Sequence, residues 1–293
     1  MKIIDAHNHP DWHGHDFRKS LENMDRFGIA QTWLLSWECP AAEYSHQYAQ
    51  LIPSGILGSG REPIPFTRCL AYKEREPERF ILGYCPDPRE PDACRRLIGA
   101  HDIYGVQICG EFKVRMMYDN PDVLMLMQVA GSLGMPVLFH LQYDLRRNWD
   151  DPRDEWYGGS IDAVDRMLAA CPGTLFIGHA PGFWIHISGD EFYRTDVYPA
   201  PEAPVRPGGR LPELLRKYPN LYCDISAGSG YTALVRDRKY TRQFLMEFHD
   251  RILYGRDCFD NRHQELLNSL DLPQSVLEEI YHGTAERLLN SNQ

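Results

Sequence analysis

Eight short apolar runs, separated by longer stretches of helical spacing or turn chemistry, limit what this chain can fold into. The runs read as strands at Ile3–His7, Gln31–Ser36, Phe80–Cys85, Gly105–Cys109, Pro136–His140, Thr174–Gly178, Leu221–Ile225 and Arg251–Gly255. Helical spacing fills several gaps, at Asp16–Phe27, Pro121–Leu133, Ser160–Ala170, Leu211–Lys217 and Tyr240–His249. Strands alternating with helices predict a parallel α/β protein. Eight of them predict a (β/α)8 TIM barrel, a fold of typically about 250 residues, which suits this length of 293. An open doubly wound sheet is the alternative.

Loop lengths favour the barrel. Connections entering strands are short, as at Cys171–Gly173, Tyr218–Asn220 and Asp250. Connections leaving strands are long, at Leu141–Gly159 and at Ala180–Gly209, which carries Pro199, Pro201, Pro204 and Pro207 before Gly208 and Gly209. The C-terminal face of the barrel should therefore carry the irregular chain, and in this fold active sites sit there. With no repeat, low-complexity tract or linker, residues 1–293 read as a single barrel domain.

Composition narrows the function. Apolar residues make up 43% of the chain and charged ones 25%, enough for a substantial core. A net charge of −10 argues against a broad nucleic-acid surface. The longest apolar stretch, Val123 to Phe139, is broken by Gln128, Ser132, two glycines and a proline, so no membrane span is expected. The N-terminus lacks the apolar run of a signal peptide. The eight scattered cysteines form no C-x-x-C pair and read as reduced thiols in a cytoplasmic protein. A small-molecule substrate is expected, with a homo-oligomer allowed.

Polar residues end several of the apolar runs. The first strand closes on Asp5-Ala6-His7-Asn8-His9, and strand alternation puts His7 and His9 on one side. His140 ends Met135–His140, His179 ends Leu175–His179, and Asp257 ends Ile252–Asp257. Any one of these histidines alone reads as a satisfied core residue or a loop residue. Together they place imidazoles and a carboxylate at the top of a barrel, a donor set that suits zinc, with manganese, iron or nickel as alternatives. His13 and His15 repeat the spacing in a polar context and read as loop.

This pattern resembles the amidohydrolase superfamily, from Ile3 to about Leu289. Asp5–His9, Phe176–His179, Leu221–Asp224, Leu253–Asp257 and His282-Gly-Thr-Ala-Glu-Arg-Leu-Leu are most similar to the amidohydrolase-related branch, which includes aminocarboxymuconate-semialdehyde decarboxylase and several lactone hydrolases. The resemblance implies that His7, His9, His140 and Asp257 hold a single divalent metal, most simply Zn2+, with Mn2+, Fe2+ or Ni2+ as alternatives. It implies that His179 sits beside the metal-bound water or the substrate and polarises the substrate oxygen. Asp257 would also move protons.

The fourth strand leaves two options. Gln107 stands where some relatives carry a bridging lysine, and it cannot form a carbamate. Cys109-Gly110-Glu111-Phe112-Lys113 resembles the Gly-Glu segment of TatD-type hydrolases, in which the glutamate is a ligand. Glu111 shares parity with Gln107 and would face the site from a regular strand; otherwise it is a surface residue paired with Lys113 or Arg115. One tightly held ion is expected, and Glu111 is the residue that would make it two. Asp224 reads as a supporting carboxylate. Asp5 either orients the histidines or fixes the geometry of the first strand. Trp12, Trp37, Phe112, Trp149, Trp156, Phe183 and Trp184 either wall an apolar pocket or pack loops together. Arg115, Arg146 and Arg147 either clamp a substrate carboxylate or are surface charges; of these, Trp37, Trp184 and Arg115 are the candidate substrate contacts. His46, His101, His186, His249, His263 and His282 have no motif context.

The expected activity is metal-dependent hydrolysis of a small ester, lactone or amide. A non-oxidative decarboxylase using the same site is the alternative, and a carboxylate-binding arginine near the metal would favour it. A non-catalytic metal- or ligand-binding barrel is the third reading.

Overall fold

In the computed structural model, which describes residues 1–44, 61–143, 156–190 and 203–290, parallel strands follow one another around a closed TIM barrel. The strands are β1 (Ile4–Asn8), β2 (Gln31–Leu34), β3 (Phe80–Leu82), β4 (Cys109–Phe112), β5 (Val137–His140), β6 (Phe176–His179), β7 (Leu221–Asp224) and β8 (Ile252–Leu253). They pair in order as β1-β2-β3 and β4-β5-β6-β7-β8. Two seams close the circle. Tyr84 N donates to Ile108 O (3.0 Å) between β3 and β4, and Ala6 N donates to Tyr254 O (2.9 Å) between β8 and β1.

Two apolar cores follow from the strand period. Residues facing out, such as Val137, Phe139 and Phe176, join the large core between barrel and helices. Those facing in form a second cluster: Ile4 and Ala6, Trp33 and Leu35, Ile81, Ile108, Leu138, Ile177 and Leu253, with Ala285 and Leu288 of the last helix (Thr284–Asn290) packed against them. Burying each large aliphatic side chain of this kind is worth about 1.5–3 kcal/mol. The inward positions also give a ruler for the site. His140, His179 and Asp224 each lie two residues past an inward position (Leu138, Ile177, Tyr222), and Asp257 lies four past Leu253, so all four continue the inward face.

The expected helices form, and local chemistry sets their ends. Asp16 accepts from Lys19 N at the start of Phe17–Arg26, Asn120 accepts from Asp122 N ahead of Pro121–Ser132, and Ser160 accepts from Ala163 N ahead of Ile161–Ala170. The expected fourth strand, Gly105–Cys109, is displaced. Gly105 (φ 66°) is the left-handed cap that closes the helix Ala93–Tyr104, and the strand begins only at Cys109. Gln107 is exposed and outside the strand, so it does not stand at a bridging position.

The segments leaving β5 and β6 are tied at their bases. Gln142 and Tyr157 bridge antiparallel. After β6, a short helix (Pro181–Trp184) leads to Asp190, which pairs with buried Arg236 at 2.6 Å. Trp149, Arg146, Arg147, His46, Pro199 and Pro201 lie outside the described residues. No helix among the described residues is long and apolar enough to cross a membrane.

Candidate metal centre

Six side chains meet at the C-terminal end of the barrel: His7, His9, Glu111, His140, His179 and Asp257. Three of them arrive against the strand period. His7 directly follows inward Ala6, His9 lies three past it, and Glu111 lies three past inward Ile108, all odd offsets. The β1–β2 register shifts between Asp5 and Asn8, and the β4–β5 register shifts between Cys109 and Phe112. An irregularity of this kind re-aims a side chain, and here each turns its residue into the barrel. The parity shared with Gln107 is therefore not what brings Glu111 inward. Glu111 is buried, which removes the alternative of a surface residue paired with Lys113 or Arg115.

Three imidazoles are oriented from behind. His7 Nδ1 lies 2.6 Å from Asp224 Oδ2, His9 Nδ1 lies 2.8 Å from Leu35 O, and His179 Nδ1 lies 3.1 Å from Ser226 Oγ and 3.2 Å from Asp224 Oδ2. Ser226 Oγ in turn donates to Asp224 Oδ2 at 2.8 Å. With Nδ1 protonated toward these acceptors, each Nε2 carries its lone pair into the centre. There His7 Nε2 lies 4.0 Å from Glu111 and 3.9 Å from Asp257. His9 Nε2 lies 3.6 and 3.5 Å from the same two carboxylates, and His179 Nε2 lies 4.0 and 3.9 Å from them. These separations are too long for hydrogen bonds. Donors that share one cation at about 2.1 Å sit about 3–4 Å apart, which is the spacing found.

Two buried atoms sharpen the fit. His7 Nε2 and Asp257 Oδ1 have no hydrogen-bond partner, although burial makes an unsatisfied polar atom costly. A divalent cation would satisfy both. The donors fall into overlapping groups: His7, His9 and Glu111; His7, His179 and Asp257; and Glu111, His140 and His179. Glu111 therefore stands between two sets of imidazoles, with its Oε1 2.6 Å from His140 Nδ1.

Burial and the crowd of charges separate the ionisations. Burial raises the Asp257 carboxyl to about 6, against the pull of His7 and His179. It also opposes charge on Glu111 and Asp224, yet the neighbouring His140 and Lys113, and His7 and His179, hold those two below the usual carboxylate range. Burial depresses His9 and His140 to about 3 each. It acts on His7 too, but Asp257, Asp224 and Glu111 outweigh it and lift that imidazole to about 9, so the metal-free ring carries a proton on Nε2 that a bound cation would displace.

The support beneath the centre explains several remaining motif residues. Asp5 accepts from Arg256 Nε (2.8 Å) and Arg256 N (2.9 Å) and meets no imidazole nitrogen, so it fixes the β8–β1 junction. Asp257 has left-handed φ (50°) and is held by its N–H on His7 O (2.8 Å) and by Trp12 Nε1 on its own carbonyl (3.0 Å). Gly255 is required by close approach: a Cβ there would lie 2.5 Å from Asp224 Oδ1 and 3.2 Å from His7 Cβ.

The expected substrate contacts divide. Trp37 is beside the centre, its ring 5.5 Å from that of His9. Trp184 is fully buried and donates through Nε1 to Asp224 O at 2.9 Å, so it positions β7 and cannot wall a pocket. Phe112 and Phe183 are likewise packed in the outer core. Arg115 follows β4, and its backbone N–H donates to the Glu43 carboxylate. Ser226 was not singled out by sequence; its one signal is the spacing Asp224-Ile225-Ser226.

The profile of the Amidohydrolase family matches residues 64–290. No protein with a curated description matches this sequence. Among solved structures, an uncharacterized TIM-barrel protein from Bordetella bronchiseptica superposes with a TM-score of 0.66 at 17% identity, over 100% of this chain and 99% of its own. A dihydroxybenzoic acid decarboxylase from a Polaromonas species, solved with manganese and the inhibitor 2-nitroresorcinol, gives 0.57 at 16% identity, over 94% and 86%. A candidate 2-pyrone-4,6-dicarboxylic acid hydrolase from Acinetobacter baumannii, with citric acid bound, gives 0.57 at 11% identity, over 99% of each chain. At such identities the likeness speaks to the fold.

Proposed function

The chain belongs to the Amidohydrolase family, and from that premise we propose that it is a metal-dependent hydrolase of a small ester, lactone or amide. The observation that carries this reading is the aim of three Nε2 atoms, each backed by an acceptor on Nδ1, at two carboxylates 3.5–4.0 Å away, Glu111 buried and Asp257 part-buried. His7, His9, Glu111 and Asp257 would hold one divalent cation; zinc suits this nitrogen and oxygen set, and manganese is supported by the Polaromonas structure. Glu111, His140 and His179 would hold a second. The expectation of a single ion leaned on the resemblance and on Gln107 standing at the bridging position, and the second of these grounds is gone. A bound cation lowers the pKa of water toward neutrality.

The protein's own groups supply the rest. Asp257, raised by burial to about 6, is suited to take a proton at neutral pH and return it to a leaving group. Glu111, held low, stays an anion and a ligand. Two carboxylates pushed apart in this way differ in role: both would bind the cation, and only Asp257 would also move a proton. Asp224 and Ser226 keep the ring of His179 aimed inward, so that Nε2 would present its lone pair to the second cation.

Non-oxidative decarboxylation is the second reading, favoured by the likeness to a manganese-bound dihydroxybenzoic acid decarboxylase. Product analysis separates the two. The metal-loaded protein is assayed against lactones, aryl esters, amides and hydroxybenzoates in a pH-stat with CO2 and ammonia detection. Hydrolysis of an ester or lactone releases a proton, hydrolysis of an amide releases ammonia, and decarboxylation releases CO2. Turnover that survives exhaustive chelation with metal content at zero would overturn both readings.

A further inference from the structure

We infer that the N-terminal end of the barrel carries an anion site, where Arg251, Tyr222, Arg216 and Arg287 bind an oxyanion, a phosphate or carboxylate group, on a small molecule. The site lies at the other end of the strands from the metal centre and does not depend on how that centre is read. Tyr222 is the second residue of β7 and Arg251 directly precedes β8, so both stand where these strands begin. The helix Arg210–Lys217 brings Arg216, and the last helix brings Arg287. With Leu215, Pro219 and Asp250 they line a cavity of about 460 Å³. Small-molecule sites span roughly 300–1,000 Å³.

Donors without acceptors mark the site. Arg251 is half-buried, yet its hydrogen bonds go only to backbone: Nη1 donates to Leu215 O and, at 3.3 Å, to Tyr218 O. No carboxylate pairs with it among the described residues, so a guanidinium with five N–H donors keeps its charge and several donors for a ligand. The Tyr222 hydroxyl likewise has no hydrogen bond among the described residues. Burial raises its pKa, and Arg287 and Arg251 pull the other way, so both guanidiniums reach it. The flanking arginines are partly committed. Arg216 holds Glu247 through Nε and Nη2 at 2.7 and 3.0 Å; Arg287 holds Glu279 and donates through Nη2 to Asp250 O at 2.8 Å. Both glutamates stand outside the lining, and Arg251 supplies the charge that they do not cancel. Nearby Lys217 and Lys2 are engaged by Asp165 and Glu286 at 2.7 Å each. Asp250, exposed, is the lining carboxylate and opposes an anion. Leu215, Pro219 and the Tyr222 ring give apolar surface to the body of the ligand, while the guanidinium fork of Arg251 matches its oxyanion.

The test is calorimetric titration of inorganic phosphate, and separately of acetate, into the wild type, Arg251→Gln, Tyr222→Phe and Asp250→Asn, with metal content and urea midpoint measured on each. At least one of the two anions should bind the wild type with a Kd below about 10 mM. That binding should weaken about tenfold or more in Arg251→Gln and about three- to tenfold in Tyr222→Phe, which removes a hydroxyl the fold does not use, and it should tighten in Asp250→Asn. Phosphate binding alone would identify a phosphoryl group as the ligand, and acetate binding alone a carboxylate. If Arg251→Gln fails to fold for want of its ties to Leu215 and Tyr218, the other two variants decide. An anion held at the metal centre would bind every variant alike. Equal affinity in Tyr222→Phe and Asp250→Asn, or no binding of either anion to the wild type up to about 10 mM, would overturn the inference.

Discussion

At the scale of single residues, the centre works through what stands behind each donor. Asp224 is not among the converging donors; it accepts from His7 and His179 and so decides which ring nitrogen each presents. Asp257 is the opposite case, with an oxygen left open toward the centre. Replacing it by asparagine keeps the shape and one oxygen but removes the proton acceptor. We expect Asp257→Asn to fold and to lose about a hundred- to ten-thousand-fold in kcat, read on whichever substrate the pH-stat identifies. Turnover near wild type would remove Asp257 from the proton path. Replacing His7 and His9 together by alanine should abolish metal retention, and full occupancy of that double variant by elemental analysis would show that the cation lies elsewhere.

Elements tie the catalytic end together, and one tie is sensitive to acid. The segment after β5 supplies Tyr143, whose hydroxyl meets His186 Nε2 at 2.8 Å and accepts from Ile161 N at 2.8 Å. His186 lies in the segment after β6, so this contact joins two long connections to the start of the helix Ile161–Ala170. Burial lowers His186 to about 3, from an ordinary 6.5. The folded protein therefore binds this proton less readily than the unfolded chain. The contribution is complete above about 6.5 and is lost as pH falls from there toward about 3. The urea midpoint of the wild type should drop between about pH 7 and about pH 5, and that of His186→Gln should drop less. Parallel falls would place the acid sensitivity elsewhere.

For the molecule as a whole, a bound cation would couple metal to fold, because the proposed ligands from β1, β4, β5, β6 and the segment after β8 come together only in the closed barrel. A cation that binds only the folded state stabilises it by about 2.7 kcal/mol at a hundred times Kd. Stoichiometry is the more telling measurement. Two cation positions that share Glu111 should give two ions per chain in the wild type and one in Glu111→Gln. One ion in both proteins would restore the single-ion site and make Glu111 a neighbour of His140 and nothing more.

Much of this was legible in the chain by itself. Apolar periodicity gave the order of strands and helices, because it reports which residues must leave water. The ends of those runs gave His140, His179 and Asp257, since a polar residue closing a buried strand has few other uses. His-x-His gave the first pair. What tertiary structure decided was direction. His7 and Glu111 face inward because the register shifts beside them, and register belongs to the pairing of two strands, which neither strand's sequence carries alone. Gly105 read as the start of a strand, although its left-handed turn ends a helix and moves Glu111 into β4. Trp184 and Trp37 look alike in sequence, yet one is sealed beneath β7 and the other borders the centre. Ser226 gains its place from partners on other strands. Such contacts join residues far apart in the chain, and only closure of the barrel brings them within reach.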